Sequence, residues 1–406
     1  MARSNLFQLT RKLGRRIPRL LRRALLILTL LWLVLSLLQA PVVRLGKPDT
    51  QELRGVWMTN YGAALMYYTT RLDEVVAHLA QHRLNTLYPA VWNRGYTLHS
   101  SKVAFQAGSK SRNPFTSLPL LPFQDTLSEA VYQAHRQHLR LIPWFEYGLM
   151  LPVRSPIAQK HPDWLTTTQS GNKGNGWLNP FHPQVQQFLT DLIVEVVQRY
   201  GVDGIQLDDH FGLPIEFGYD PYTIKLYQKD HSGAKPPSNP ANPEWIAWRA
   251  ERLTQLMAKI TKAVKAARPQ AIVSLSPHPP NFAYQKYLQD WTRWVNLALV
   301  DEVIVQVYRQ DLATLKAELY SSGFRTLLRQ PVPISIGLYT GPILAAKQIQ
   351  PLRQEVETVR ATGYNGVSFF CWETTFWLFK GSPEKQVRQT FLKLFPVASK
   401  APIGGK

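Results

Sequence analysis

The sequence predicts a TIM-like (β/α)8 barrel with enlarged loops, and three observations carry the prediction. Eight short segments rich in aliphatic residues alternate with segments of helical periodicity, the pattern of a parallel sheet covered by helices. Several of the eight show one purely aliphatic face and one face of small or polar residues, as strands do when helices cover only their outer side. The alternation fills residues 52–396 without a solenoid-length repeat, and roughly 350 residues suit one barrel with enlarged loops.

Taken in order, the strands are expected at residues 54–60, 85–92, 140–148, 202–210, 271–278, 302–308, 332–340 and 366–373. The helices between and after them are expected at 71–83, 126–138, 183–200, 244–268, 284–295, 312–321, 345–361 and 384–394. In the third of these, Val185, Phe188, Leu189, Leu192 and Val196 recur at three- and four-residue spacing behind Pro183, a helix-opening position for proline. On the fourth strand Ile205 and Leu207 share one face, and Gly204, Gln206 and Asp208 the other. The mixed face should line the barrel, so the inward residues at the C-terminal strand ends are Asp208, His278, Tyr308 and Tyr339. Active sites of such barrels gather at that end.

In front of the barrel stands a different kind of sequence. Residues 1–50 hold ten Lys and Arg against Asp49 alone, which gives +9 of the net +20 and leaves +11 for the rest. Eight of those basic residues precede the apolar run 24–38. That order fits a membrane anchor or signal over residues 1–43, with the barrel outside the cytoplasm at the cell envelope. A linker at 44–51 and a tail at 397–406 complete the expected organisation. The remaining charge is spread without a basic run, which argues against nucleic acid as a partner. Cys371 is the single cysteine, so no intrachain disulfide can form.

The chemistry concentrates in "VDGIQLDDHFG", residues 202–212. Asp203 begins that strand, more than ~15 Å from its far end, and reads as structural. Asp208 and Asp209 stand at the mouth, with Asp208 expected to point inward and Asp209 to shape the loop. "LIPWFEYG" ends the third strand with Glu146, and "GVSFFCWETTFW" ends the eighth with Glu373. Glycosidic cleavage needs two carboxyl groups, one to donate a proton and one to attack, activate water or steady positive charge. Trp57, Trp92, Trp144 and Trp372 lie near strand ends and are candidate sugar platforms, because indoles stack on the C–H faces of sugars. Asn60 and His210 stand beside them. Clustered metal ligands at the strand ends amount to His210 and His278 only, so neither a metal nor a cofactor is expected. Motifs of a phosphate loop or a serine nucleophile elbow are missing.

The segments "ELRGVWMTN", "NTLYPAVWNRGYTLHSS", "WLNPFHPQVQQFLTDLIVEVVQRYGVDGIQLDDHF", "VSLSP", "VIVQVYRQD" and "ISIGLYTG" resemble, in this order, the bacterial glycosyl-hydrolase-like family 10 proteins, which are distinct from the true family 10 xylanases. The resemblance implies a TIM-like barrel, an envelope location and activity on glycans, with one member class linked to peptidoglycan glycan strands. By similarity Asp208 and Asp209 match the family's aspartate pair, Asn179 its asparagine-proline turn, and Gln306 with Tyr308 its Gln-x-Tyr. Glu146 and Glu373 have no counterpart in the family pattern. The expected protein is thus an envelope glycoside hydrolase acting on a carbohydrate polymer. A non-catalytic glycan-binding scaffold is the alternative, and the acids at several strand ends favour the enzyme.

Overall fold

The computed structural model describes residues 19–37, 39–60, 62, 72–110 and 125–402. The chain divides into two compact units, Met1–Pro41 and Val42–Lys406. In the first, a helix runs over Arg19–Leu37, with Leu25, Leu26, Ile27 and Leu28 exposed. Among the described residues no helix is long and apolar enough to cross a membrane. The anchor expected over residues 1–43 therefore finds no support in the structure, and its basic residues before Arg19 lie outside the described residues.

The second unit is the barrel. Its strands are β1 (Leu53–Met58), β2 (Thr86–Pro89), β3 (Arg140–Leu141), β4 (Gly204–Asp208), β5 (Ile272–Ser276), β6 (Glu302–Gln306), β7 (Ile334–Tyr339) and β8 (Gly366–Phe370). All pair in parallel, in the order β3-β2-β1-β8-β7-β6-β5-β4. An isolated parallel bridge between Trp144 and Gln206 joins β3 to β4. There Phe145 N donates to Gln206 O (2.9 Å) and Gln206 N to Pro143 O (2.8 Å). The helices after the strands are α1 (Leu72–Gln81), α2 (Thr126–Arg136), α3 (Pro183–Arg199), α4 (Pro243–Ala267), α5 (Trp291–Asn296), α6 (Leu312–Leu319), α7 (Ile349–Ala361) and α8 (Glu384–Leu394).

Three elements differ from expectation, each for a local reason. The long third strand is regular only over two residues, because Pro143 has no N–H to give the ladder and pairing resumes as single bridges at Trp144. The eighth strand stops at Phe370, and Glu373 lies on a helical turn, Trp372–Thr375. The helix expected at 284–295 is two helices, Pro280–Tyr287 and α5, because Leu288 takes a left-handed conformation (φ 59°) between them. A further helix, Pro221–Asp230, fills the loop after β4. Residues of the expected linker and tail pair with each other, Thr50–Gln51 in parallel with Ser399–Lys400.

The alternation of faces is as expected. Ile205, Leu207, Val273, Leu275, Val303, Val305, Ile336 and Leu338 belong to the large cluster shared with the helices. Trp57, Tyr88, Ile142, Trp144, Ile272 and Ile304 form a separate cluster inside the barrel. Each such side chain, fully buried, contributes ~1.5–3 kcal/mol. Space for the interior rings comes from glycine: a Cβ on Gly55 would stand 2.8 Å from both the Tyr88 ring and Ser368 Oγ. Two polar groups inside make these pairings. Glu302 accepts from Tyr88 Oη (3.0 Å) and meets Arg140 Nη2 at 3.0 Å. Gln206 accepts from Trp57 Nε1 (2.6 Å) and donates to Ser274 Oγ (3.0 Å).

Candidate active site

The end of β4 carries the aspartate pair, and neighbouring loops are folded onto it. Asp208 is buried, with Oδ2 accepting from Trp144 Nε1 (2.8 Å) and Oδ1 from His210 N (3.0 Å). Gln289, in the break before α5, donates to the carbonyls of Asp208 (2.8 Å) and Phe211 (3.1 Å). Those bonds fix where β4 ends, and the pair thereby escapes strict alternation. Asp209 turns towards β5 and β6. Its Oδ1 accepts from Gln306 Nε2 (2.8 Å), and its Oδ2 lies 3.2 Å from His278 Nε2. Gly148, at φ +40°, brings the loop after β3 against His210, where a Cβ would stand 2.6 Å from the His210 carbonyl carbon. Leu149 N donates to that carbonyl (2.9 Å).

Glu146 stands on this same loop. Its Oε2 accepts from Asn93 Nδ2 (2.5 Å). Glu373 comes from the turn after β8, with Oε1 accepting from Thr59 N (3.0 Å) and Thr59 Oγ1 (2.5 Å). Its other carboxylate oxygen is buried without a hydrogen-bond partner.

These surroundings separate the four carboxyls. Burial pushes Glu146 up to about 7; the bond from Asn93 opposes this, and the charge of Asp208 adds to it. Burial, with Asp209 next to it, pushes Asp208 up to about 6 against the pull of His210 and Trp144. Burial also acts to raise Asp209, but the bond from His278, the positive charge of His210 and the bond from Gln306 outweigh it and hold the group at about 2. Glu373 is raised, chiefly by burial. Burial alone would lower His210; Asp208, Asp209 and Glu146 together bring it up to about 10. At neutral pH the mouth thus holds an ionised Asp209, a His210 cation and a Glu146 close to its midpoint.

The expected aromatic platforms are corrected. Trp57, Trp92, Trp144 and Trp372 are all buried. Trp57 fills the barrel, Trp92 donates to Gly148 O (3.2 Å) and packs on Phe188, and Trp372 stacks on Trp377. Trp144 instead positions Asp208 through its N–H. Asn179 is likewise structural: it is buried, donates to Asp220 Oδ1 and Thr223 Oγ1 (both 2.9 Å) and accepts from Phe181 N. Asp203 caps the opposite end of β4, accepting from Leu141 N (2.7 Å) beside His135. Asn60 is buried after β1, and its Oδ1 has no partner.

Other rings, all partly exposed except the buried Trp177, surround the acids instead. Tyr308 lies between Tyr339 (5.8 Å) and Phe370 (5.3 Å, stacked), while His210 stacks between Tyr147 (5.8 Å) and Trp177 (6.1 Å). Sequence reading missed Asn93, Tyr147, Gln289 and Phe370. Asn93, a polar residue directly after the second predicted strand, carried a usable signal. Gln289 carried none, because its position depends on the left-handed Leu288.

Asp208, Asp209 and His210 offer ligand atoms within 4.8 Å of one another. Every oxygen of the two carboxylates already faces a donor, whereas His210 Nδ1 is buried without a hydrogen-bond partner, 3.7 Å from Asp208 Oδ2.

The profile of the family described as Glycosyl hydrolase-like 10 matches residues 52–359. The chain is similar to a protein named Glycosyl hydrolase DigH from Escherichia coli K12, with 26% identity over 199 residues, 40% of this chain and 43% of that one. It thus spans less than half the length of the curated relative. Among solved structures, the PgaB (BpsB) glycoside hydrolase domain from Bordetella bronchiseptica superimposes with a TM-score of 0.59 at 12% identity, covering 84% of this chain and 99% of that one. A cold-adapted β-galactosidase from Rahnella sp. R3 gives 0.60 at 13% identity, over 88% and 58%. At such identities these likenesses establish the fold.

Proposed function

The chain belongs to the glycosyl hydrolase-like 10 family, and on that premise we propose that it hydrolyses glycosidic bonds of an envelope polysaccharide, with peptidoglycan glycan strands as the substrate to test first. The observation that supports this most is the opposed environment of Glu146 and Asp209 at one barrel mouth. A pair of carboxyls pushed apart in this way divides into an acid and a charged partner. Glu146 donates the proton to the leaving oxygen. Asp209 supplies the negative charge that steadies an oxocarbenium-like transition state or, on an N-acetylated sugar, orients the acetamide. Asp208 is a positioning residue: its oxygens hold Trp144 and His210, and its charge helps to keep His210 protonated. Tyr308, Tyr339 and Phe370 form the sugar-stacking wall.

The test is the release of new reducing ends from purified glycan strands by the full-length protein. No release, with strands still bound, would favour a glycan-binding scaffold instead. Tyr308→Ala is expected to raise the Kd for glycan about tenfold, ~1.4 kcal/mol, with unchanged thermal unfolding; unchanged affinity in a folded variant would remove the ring from the site.

The envelope location belongs to the same proposal and rests on the basic residues ahead of the apolar run 24–38. A reporter fused after Lys406 should be active only outside the cytoplasm. Cytoplasmic activity would overturn the export reading and leave the chemistry untouched.

A further inference from the structure

We propose that His78, His82 and Glu384 form a binding site for a zinc-like divalent cation that clips α1 to α8, outside the barrel wall and separate from the acids of the mouth. His78 lies near the end of α1 and His82 in the turn directly after it. Four-residue spacing puts both rings on one side. Glu384 opens α8. Its Oε1 is 2.8 Å from His78 Nε2 and 3.7 Å from His82 Nε2, and one ligand atom from each residue lies within 4.8 Å of the others. Ligand atoms around a tetrahedral zinc with bonds of ~2.0–2.1 Å stand about 3.3 Å apart, so small side-chain adjustments complete the set.

The second, independent observation is the state of His82. Its side chain is fully buried, and its Nε2 has no hydrogen-bond partner. The other ring nitrogen, Nδ1, lies 2.7 Å from the His78 carbonyl oxygen. A carbonyl can only accept, so Nδ1 carries the hydrogen and Nε2 presents a bare lone pair towards Glu384. That is how ligating histidines are usually oriented, with the far N–H held by a backbone oxygen. Phe376 and Phe391 pack edge-on against the ring at 5.1 and 5.5 Å and fix its direction. Lys380 Nζ lies 3.5 Å from Glu384 Oε2, which leaves Oε1 facing the histidines. His78 and Glu384 are partly exposed, so water reaches the fourth position. Two imidazoles and one carboxylate suit zinc better than calcium or magnesium, which prefer oxygen ligands.

The experiment uses full-length protein without an oligohistidine tag, stripped with a chelator. Zn2+ is titrated by calorimetry, and Co2+ is followed by its visible d–d absorption. One site and a tetrahedral-type Co2+ spectrum are expected, with Zn2+ raising the Tm. His78→Gln and Glu384→Gln, at partly exposed positions, should stay folded and lose at least tenfold in affinity. His82→Ala should abolish binding, and the other two variants decide the question if it does not fold. Absence of Zn2+ binding by the wild type overturns the proposal. So does wild-type affinity in folded His78→Gln and Glu384→Gln, because the cation would then sit elsewhere.

Discussion

Asp209→Asn is expected to lower turnover on glycan strands by ~10³-fold or more, ~4 kcal/mol in the barrier, while the protein stays folded. The amide keeps the size of the side chain, and its oxygen can still accept from Gln306 or from His278. What is lost is the one carboxylate at the mouth that its surroundings hold at about 2. A group kept ionised inside a buried site loses no charge to protonation in the working range, and that charge is what the developing oxocarbenium needs. The comparison variant is Asp208→Asn. It also removes a carboxylate, but one with both oxygens occupied by Trp144 and His210, so its loss should be smaller, about tenfold to 10²-fold, through a less charged His210. Equal and complete loss in both would assign the charge to the pair; a fully active, folded Asp209→Asn enzyme would remove Asp209 from the chemistry.

Glu146→Gln is expected to cost ~10²–10³-fold on polysaccharide, within the range for losing a general acid. The effect should depend on the leaving group. A sugar alkoxide needs a proton as the bond breaks, whereas an acidic phenol does not. Nitrophenyl glycosides of the matching sugar should therefore be cleaved by the variant at a rate near that of the wild type. An equal loss on both substrate types would mean that Glu146 acts through structure or binding, and Glu373, which is buried and likewise raised, would become the next candidate.

Much of the fold was legible because barrel physics is written in alternation. The aliphatic parity of 205 and 207, 273 and 275, or 303 and 305 states which side the helices cover, and Asp208 at the inward end of β4 follows from it. The tryptophans were not legible in the same way. An indole near a strand end can stack on a ligand or be buried in the fold, and the choice depends on partners that the local sequence does not show. Trp57 finds Gln206, Trp92 finds Gly148 and Trp144 finds Asp208, partners far away in sequence. Glu373 was assigned to a strand because "GVSFFCWE" is apolar to its end, yet the ladder stops at Phe370 and a helical turn carries the acid to Thr59. The division of labour proposed for Asp208 and Asp209 was hidden from the sequence for a similar reason. The parity places Asp208 correctly, but the ionisation of each acid follows from His278, Gln306 and His210, which come from three different strand ends.

The pH dependence of kcat/KM on glycan strands, for the wild type beside Glu146→Gln, tests the proposed division of labour most directly. Glu146 must be protonated to act, and its pKa is raised from about 4.5 to about 7, so the active fraction is full well below 7 and declines as pH rises through it. Asp209, ionised above about 2, sets no limit in that range. The expected result is a wild-type profile that falls tenfold per pH unit above about 7, and a weak variant profile without that limb. A wild-type profile flat from pH 6 to 9, or the same alkaline limb in the variant, would contradict Glu146 as the proton donor.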